Sequence, residues 1–209
     1  MPARARDALR RLREGNTRFH THVAGAGSAL ANAEHAHLVV EQSPTAIILG
    51  CSDARVPAEI IFDQGLGDLF VIRVAGNVVA PSQVASVEFA AATFGTRLVV
   101  VVGHTQCGAV TATIDELQRP LVDRSRNLSA IVDRVRPAVE PLLKTNLAGD
   151  RGALIAKAVR ANIRAAANHL RHGSAILEQL IRDDGLLVVG AEYAIETGVV
   201  EFFDGVPND

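Results

Sequence analysis

The chain has 209 residues, of which 48% are hydrophobic and 21% are charged, and its formal net charge is −2. This length suits one folded domain, and the near-neutral charge excludes an electrostatic fit to nucleic acid or to an anionic membrane. Two cysteines are too few for a disulfide scaffold, so they indicate a reducing, cytoplasmic location or a metal. The longest apolar runs fall far short of the roughly 20 residues that span a bilayer, and no secretory signal is expected.

The first predicted element is a helical arm within residues 1–40. Leu9, Leu12 and Phe19 form a sparse apolar stripe on an arginine-rich segment, which is typical of an amphipathic helix. Such an arm docks on a core or on a partner. Because the rest of the chain offers little core for this stripe, we predict that the arm wraps around a partner subunit in a homodimer or a tetramer of dimers.

Five strands and several helices are predicted after the arm. Continuous apolar runs are typical of strands covered on both faces of a parallel sheet, and a shorter run after a turn indicates an antiparallel edge strand. The strands are Thr45–Gly50, Leu69–Val74, Arg97–Gly103, Leu186–Tyr193 and, at the edge, Gly198–Phe203. Helical patterns cover Pro81–Gly95, with Ser82 as the expected cap, and residues 127–184, with breaks near Pro137, Pro141 and 147–152.

Strands that alternate with helices predict an α/β fold. We expect a mostly parallel central sheet of four strands plus an antiparallel edge strand, flanked by helices, with the N-terminal helical arm outside it. The whole chain, residues 1–209, is expected to form one domain, in which the arm covers 1–40 and the α/β core covers 45–209.

Both cysteines follow Gly-terminated apolar strands. Cys51 comes directly after the first strand, and the third strand is followed by "HTQC", with His104 and Cys107. If the two strands are neighbours, these three side chains converge at the carboxyl edge of the sheet, where open α/β folds bind ligands. Two thiolates and one imidazole match a catalytic zinc set with an open fourth position, whereas the alternative is a pair of inert core thiols.

Asp53 and Arg55 lie beside the first of these cysteines. In most turns such a pair is a surface ion pair without function. Next to a metal, Arg55 can keep Asp53 ionised and oriented, so that the carboxylate accepts a hydrogen bond from a metal-bound water. The same carboxylate could instead close the open position.

The segments "CSDAR" and "EFAAATFGTRLVVVVGHTQCG" resemble the β-class carbonic anhydrases, whose motifs are C-x-D-x-R and H-x-x-C. The resemblance extends from "EGNTRF" near the N-terminus to "GAEYAIETGVVEFF". It implies that zinc is bound by Cys51, His104 and Cys107, that the catalytic dyad is Asp53 and Arg55, and that Gly108 helps to receive the substrate. Ala54 departs from the serine that is usual in the family.

The resemblance also implies a subclass. Family members with a regulatory bicarbonate site have a Trp where this chain has Ile48, and this chain has no Trp. It is more similar to the plant-type subclass, in which the residue at the position of Gln42 donates to bicarbonate in the neighbouring subunit. Phe70 and Phe89 match apolar positions of the family's substrate pocket, and core packing is the alternative explanation for both.

The expected activity is therefore the reversible hydration of carbon dioxide to bicarbonate and a proton through zinc-bound hydroxide, with one Zn²⁺ per chain. Hydrolysis of carbon disulfide or carbonyl sulfide on the same fold is an alternative. A non-catalytic zinc-bearing regulatory module, with Asp53 in the fourth position, is another. A cysteine hydrolase would use Cys51 as nucleophile, His104 as base and Asp53 as orienter, but it would leave Cys107 without a role.

Overall fold

The computed structural model describes residues 3–22, 42–119 and 125–207. Seven helices and five strands lie in these ranges, together with two short 3₁₀ turns at Ala75–Asn77 and Asn146–Gly149. The helices are α1 (Ala3–His22), α2 (Ala58–Ile61), α3 (Pro81–Thr93), α4 (Gly108–Gln118), α5 (Arg126–Leu143), α6 (Arg151–His172) and α7 (Ala175–Asp183). The strands are β1 (Ala46–Gly50), β2 (Leu69–Arg73), β3 (Leu98–His104), β4 (Leu187–Tyr193) and β5 (Val200–Asp204).

The five strands form one sheet in the order β2-β1-β3-β4-β5. The first four are parallel, and β5 runs antiparallel to β4 at the edge. The predicted α/β class, the four parallel strands and the antiparallel edge strand are confirmed, with strand ends that shift by one or two residues. The predicted neighbourhood of the first and third strands is also confirmed, because Gly50 pairs with Val102.

The sheet is buried on both faces, which explains the continuous apolar runs. Every residue of β1 and of β3 is buried. Alternate side chains of β1 enter different clusters: Ile47 and Leu49 pack with helices α3 to α7, whereas Ala46 and Ile48 pack with α1 and α2. A core on each face fixes the strand register, because a shift by one residue would exchange the two sets.

The arm helix packs on its own chain, which corrects the expectation that it lacks a core there. Leu9 and Leu12 are buried in the same cluster as Ala46 and Ile48 of strand β1. A Cβ on Gly15 would overlap the carbonyl oxygen of Phe62, so glycine allows α1 to approach α2 closely. Asn16 Nδ2 donates to the carbonyl oxygens of Ile61 and Gly198, both at 2.9 Å, and thereby ties the arm to the core.

Two predictions about the helices were wrong. Helix α5 continues through Pro137 and Pro141. Both prolines are exposed, so solvent can bond the carbonyl groups that lose their helical partners. Helix α3 begins at Pro81 with Ala80 as its N-cap, and Ser82 lies inside the first turn, because proline is already suited to the first helical position.

Helix α6 crosses the sheet above two glycines of neighbouring strands. A Cβ on Gly103 would lie 2.5 Å from Cγ1 of Ile163, and one on Gly190 would lie 2.9 Å from its Cγ2. Glycine at these positions lets the helix sit close to the strand that ends at His104. Within the described ranges, no helix combines the length and the apolarity that crossing a membrane requires.

Candidate metal centre

Cys51, His104 and Cys107 converge at the carboxyl edge of the sheet. Cys51 follows the last residue of β1, His104 ends the neighbouring β3, and Cys107 is the N-cap residue of α4. All three are buried, and their ligand atoms lie within 4.8 Å of one another. The predicted convergence is therefore present, in a geometry that can hold one metal ion.

The orientation of His104 leaves one ring nitrogen available to a metal. Its Nδ1 lies 2.9 Å from the carbonyl oxygen of Thr105, which can only accept, so Nδ1 carries the proton. Its Nε2 is buried and has no hydrogen-bond partner in the described part of the chain. A buried bare lone pair that faces two sulfurs is costly unless an ion occupies the space between them.

The hydrogen bond between the two cysteines favours the ionised form of the Cys51 thiol. A hydrogen bond from the Cys107 thiol lowers the pKa of Cys51, and the same bond raises the pKa of Cys107. The backbone N–H of Gly76 also donates to the Cys51 sulfur at 3.3 Å. Ionising both thiols together would place two negative charges side by side in a buried site, and a divalent cation would balance them.

Gly76 is a functional position that the motifs did not reveal. Its φ of 68° lies in the left-handed region, and a Cβ there would lie 3.0 Å from Cβ of Ala109. Asn162 of helix α6 donates to its carbonyl oxygen at 2.8 Å. Together these contacts hold the N–H of Gly76 against Cys51. The sequence offered one weak signal, a Gly-Asn pair directly after a strand.

Asp53 and Arg55 form the ion pair that the sequence predicted. The backbone N–H and Nε of Arg55 donate to Oδ1 of Asp53 at 3.0 and 2.9 Å, and Nη2 donates to Oδ2 at 2.8 Å. These hydrogen bonds hold the pKa of Asp53 well below its usual range. Oδ2 lies 3.8 Å from Nε2 of His104, so the carboxylate borders the ligand set.

Arg73, at the end of β2, supports the same loop and was missed at the level of sequence. Its Nε donates to the carbonyl oxygen of Cys51 at 3.0 Å, and its Nη2 donates to that of Asp53 at 2.6 Å. A charged side chain on the last residue of a strand gave no signal for this role. The bonds fix the backbone between the first ligand and the ion pair.

The candidate substrate residues divide into two groups. Gly108 begins helix α4 next to Cys107, and a Cβ on it would meet nothing within 4 Å. Phe70 pairs with Ile47, which precedes Cys51 by four residues or about 13 Å of strand. Gln42 is exposed and precedes the start of the same strand, so it lies towards the opposite edge of the sheet.

Phe89 is 53% exposed on helix α3 and belongs to a small aromatic cluster. Its ring centroid lies 6.2 Å from that of Phe70 and 5.6 Å from that of Phe94. The structure therefore does not bring Gln42, Phe70 or Phe89 to the ligand set of their own chain, whereas Gly108 lies beside it.

Comparisons with known proteins point to one family. Residues 46–200 match the family model described as carbonic anhydrase. Carbonic anhydrase 2 of Mycobacterium tuberculosis is 35% identical over 205 residues, which cover 96% of this chain and 94% of that protein.

Solved structures show the same similarity. A tetrameric β-carbonic anhydrase of Sordaria macrospora is 25% identical, with a TM-score of 0.69 over 81% of this chain and 86% of that one. The β-carbonic anhydrase CafA of Aspergillus fumigatus is 24% identical, with a TM-score of 0.74 over 97% of this chain and 91% of that one.

Proposed function

The chain belongs to the β class of the carbonic anhydrase family, and we propose that it hydrates carbon dioxide reversibly with one Zn²⁺ held by Cys51, His104 and Cys107. The observation that carries this proposal is the bare, buried Nε2 of His104 beside two sulfurs. Two thiolates neutralise a divalent ion, and sulfur ligands select zinc over magnesium or calcium. When bound, the zinc would act as a Lewis acid that lowers the pKa of a coordinated water to about 7.

We propose that Asp53 orients the reacting water. Among the bonds to its carboxylate, Oδ1 accepts two from Arg55 and Oδ2 accepts one, so Oδ2 keeps a lone pair on the side nearest His104. An ionised carboxylate can only accept hydrogen bonds, so at this point it favours a water that directs an O–H group towards it. Arg55 acts through Asp53: it keeps the carboxylate charged and holds it in place.

Gly108 supplies a second polar contact. Its backbone N–H lies in the first turn of α4, where helical N–H groups lack a partner within the helix. We propose that this N–H donates a hydrogen bond to an oxygen of bicarbonate, next to the Cys107 ligand. The open space around Gly108 leaves room for a small triatomic substrate.

The geometry does not favour the two other functions considered for this site. In a cysteine hydrolase, the acid would hold Nδ1 of His104, but that nitrogen bonds the carbonyl oxygen of Thr105. In a closed regulatory module, Asp53 would bind the metal, but Arg55 bonds both of its oxygens. Hydrolysis of carbonyl sulfide or carbon disulfide uses the same groups, so direct assays with these substrates distinguish it.

Metal analysis and stopped-flow carbon dioxide hydration test the proposal. We expect about one zinc per chain. Cys107→Ala and His104→Ala should lose both metal and activity, whereas His169→Ala, which changes an exposed histidine on α6, should keep both. Full activity in metal-free protein would refute the proposal, and zinc-loaded protein that hydrates no carbon dioxide at any pH would favour the regulatory module.

We further propose that a second copy of the chain completes the substrate pocket, in a homodimer or a tetramer of dimers. The apolar residues Phe70 and Phe89 lie away from their own ligand set, yet Phe89 exposes half of its surface. Large exposed aromatic groups mark association surfaces. Gln42 is likewise exposed, and we propose that it reaches bicarbonate in the partner. The reduced thiols support a cytoplasmic location.

A charge at the aromatic cluster tests this assembly. Phe89→Asp should give a monomer by sedimentation, with metal retained and carbon dioxide hydration lost. Ile176→Asp is the matched control, because Ile176 is 51% exposed on helix α7 and lies outside the cluster. A Phe89→Asp monomer with full activity would contradict the shared pocket.

A further inference from the structure

Glu196 joins the turn between β4 and β5 to the loop that carries two metal ligands. Its Oε2 accepts a hydrogen bond from Oγ1 of Thr105 at 2.8 Å, and its Oε1 accepts one from Nε2 of Gln106 at 2.6 Å. Thr105 and Gln106 are the two residues between the ligands His104 and Cys107. One carboxylate, about 90 positions away in sequence, therefore holds both residues of the intervening loop.

Thr105 transmits this contact to the ligand His104. Its carbonyl oxygen accepts from Nδ1 of the His104 ring at 2.9 Å. Its own backbone N–H donates to the carbonyl oxygen of Tyr193 at 3.0 Å, and its Oγ1 accepts from the backbone N–H of Ile195 at 3.1 Å. The residue whose carbonyl oxygen fixes the histidine ring is thus bonded both to the last residue of β4 and to the turn that follows it.

Gln106 adds a reason for an external support. Its φ of 55° lies in the left-handed region, which is uncommon for a residue other than glycine. Such conformations persist where the surrounding structure holds them. The hydrogen bond from its exposed side chain to Glu196 supplies such a hold, directly before the ligand Cys107.

The charge of Glu196 strengthens both hydrogen bonds. The bond from Thr105 is the main cause that lowers the pKa of Glu196, and its own backbone N–H and the bond from Gln106 lower it further, so the carboxylate is ionised at neutral pH. Bonds to an ionised acceptor are shorter and stronger than neutral ones. The negative charge also attracts Arg55, whose main partner is Asp53.

We propose that Glu196 is a positioning residue for the metal centre, and that its two hydrogen bonds fix the loop Thr105–Gln106 and, through it, the two ligands on either side. The inference rests on the metal site proposed above. Groups that orient metal ligands typically contribute 10- to 100-fold in metal affinity. Because Glu196 is exposed and would act only indirectly, through Thr105, we expect the lower end of that range, about tenfold.

Metal loss from the loaded protein to excess chelator tests the proposal. Glu196→Ala should lose metal about tenfold faster than the unaltered protein. Glu196→Gln retains the size of the side chain and can still bond Thr105 and Gln106. Its rate of metal loss should therefore be close to that of the unaltered protein. Glu140→Ala is the control, because Glu140 is an exposed residue on helix α5 that pairs with Lys144 in the same helix.

Two further measurements separate positioning from general stability. The visible spectrum of the cobalt-substituted protein reports the ligand geometry, and it should change in Glu196→Ala but not in Glu140→Ala. Thr105→Val combined with Glu196→Ala should accelerate metal loss by less than the product of the two single effects, because both variants remove the bond between Thr105 and Glu196.

The outcomes distinguish this inference from the proposed function. If the unaltered protein takes up no zinc or cobalt, the proposed metal site itself fails. If it holds metal and Glu196→Ala loses it within twofold of Glu140→Ala, the positioning role is refuted. Loss from Glu196→Gln as fast as from Glu196→Ala, or multiplied effects of the Thr105 and Glu196 changes, would refute it equally.

Discussion

Gly103→Ala should disturb both the core and the metal ligand that follows it. The added Cβ would lie 2.5 Å from Cγ1 and 2.6 Å from Cδ1 of Ile163. Carbon atoms pack best at about 3.5–4.0 Å, so strand β3 and helix α6 must separate by roughly 1 Å. Overpacking of this kind costs about 1–3 kcal/mol.

The consequences are measurable in stability and in activity. A chain of this size loses about 2–4 °C of melting temperature per kcal/mol, so Gly103→Ala should melt about 2–12 °C lower. His104 is the next residue, and a misplacement of 1 Å in a reacting group costs on the order of 100-fold in rate. We therefore expect carbon dioxide hydration to fall by about 10- to 100-fold.

Ile163→Ala provides the internal test of this reasoning. Alone, this substitution removes buried atoms and should lower the free energy of unfolding by about 2–5 kcal/mol. It also removes the two side-chain atoms that the methyl group of Gly103→Ala would contact. The double variant should be more stable than the sum of the two single effects. Gly149→Ala is the control, because a Cβ there meets nothing within 4 Å. Additive effects within about 0.5 kcal/mol, or a Gly103→Ala protein as stable as the control, would refute the argument.

Three further predictions follow from the contacts. Arg55→Ala and Asp53→Asn should each retain zinc and lower turnover. The double variant should be little slower than either single variant, because the pair acts as a unit. Losses that multiply in stopped-flow assays would show that the two residues have separate roles. Leu12→Ala should destabilise the folded chain by about 2–5 kcal/mol in urea unfolding, since Leu12 is fully buried in its own subunit. Burial raises the pKa of Glu192 in the folded chain. The ionised carboxylate therefore lowers the stability of the folded chain at high pH, and this loss disappears as the pH falls through the raised pKa and the group becomes protonated. Glu192→Gln should accordingly stabilise the protein more at pH 8 than at pH 4.5, and an equal effect at both would contradict this.

The sheet and the convergence of Cys51, His104 and Cys107 could be predicted from sequence because both depend on local patterns. Continuous apolar runs identified buried parallel strands, and parallel strands place the residues that follow them at one edge. Cys51 and His104 follow or end two such strands, so only the neighbourhood of β1 and β3 had to be assumed. Asp53 and Arg55 come from the same short loop, and their pairing needed no long-range information.

The residues that support the ligands could not be predicted in the same way. Arg73 contacts the Cys51 loop from 22 positions away, and Asn162 reaches Gly76 from 86 positions away. Nothing in the local pattern distinguishes them from other polar residues on a strand or a helix. The apolar stripe of the arm was also ambiguous, because amphipathicity shows that a helix covers a surface but not which subunit owns that surface.

The distribution of groups along the sheet fits the proposal that one subunit holds the metal and a second subunit completes the substrate pocket. The carboxyl ends of β1 and β3 carry the ligands and the ion pair, all of which act on a charged centre. Phe70 pairs with Ile47, about four strand residues from Cys51, and Phe89 lies beside Phe70 on helix α3, so both rings lie away from that centre. An uncharged gas needs apolar surroundings, and a second subunit can bring such a surface to the open side of the metal. If the shared pocket is correct, turnover depends on assembly although metal binding does not, and dilution should lower activity while leaving zinc in place.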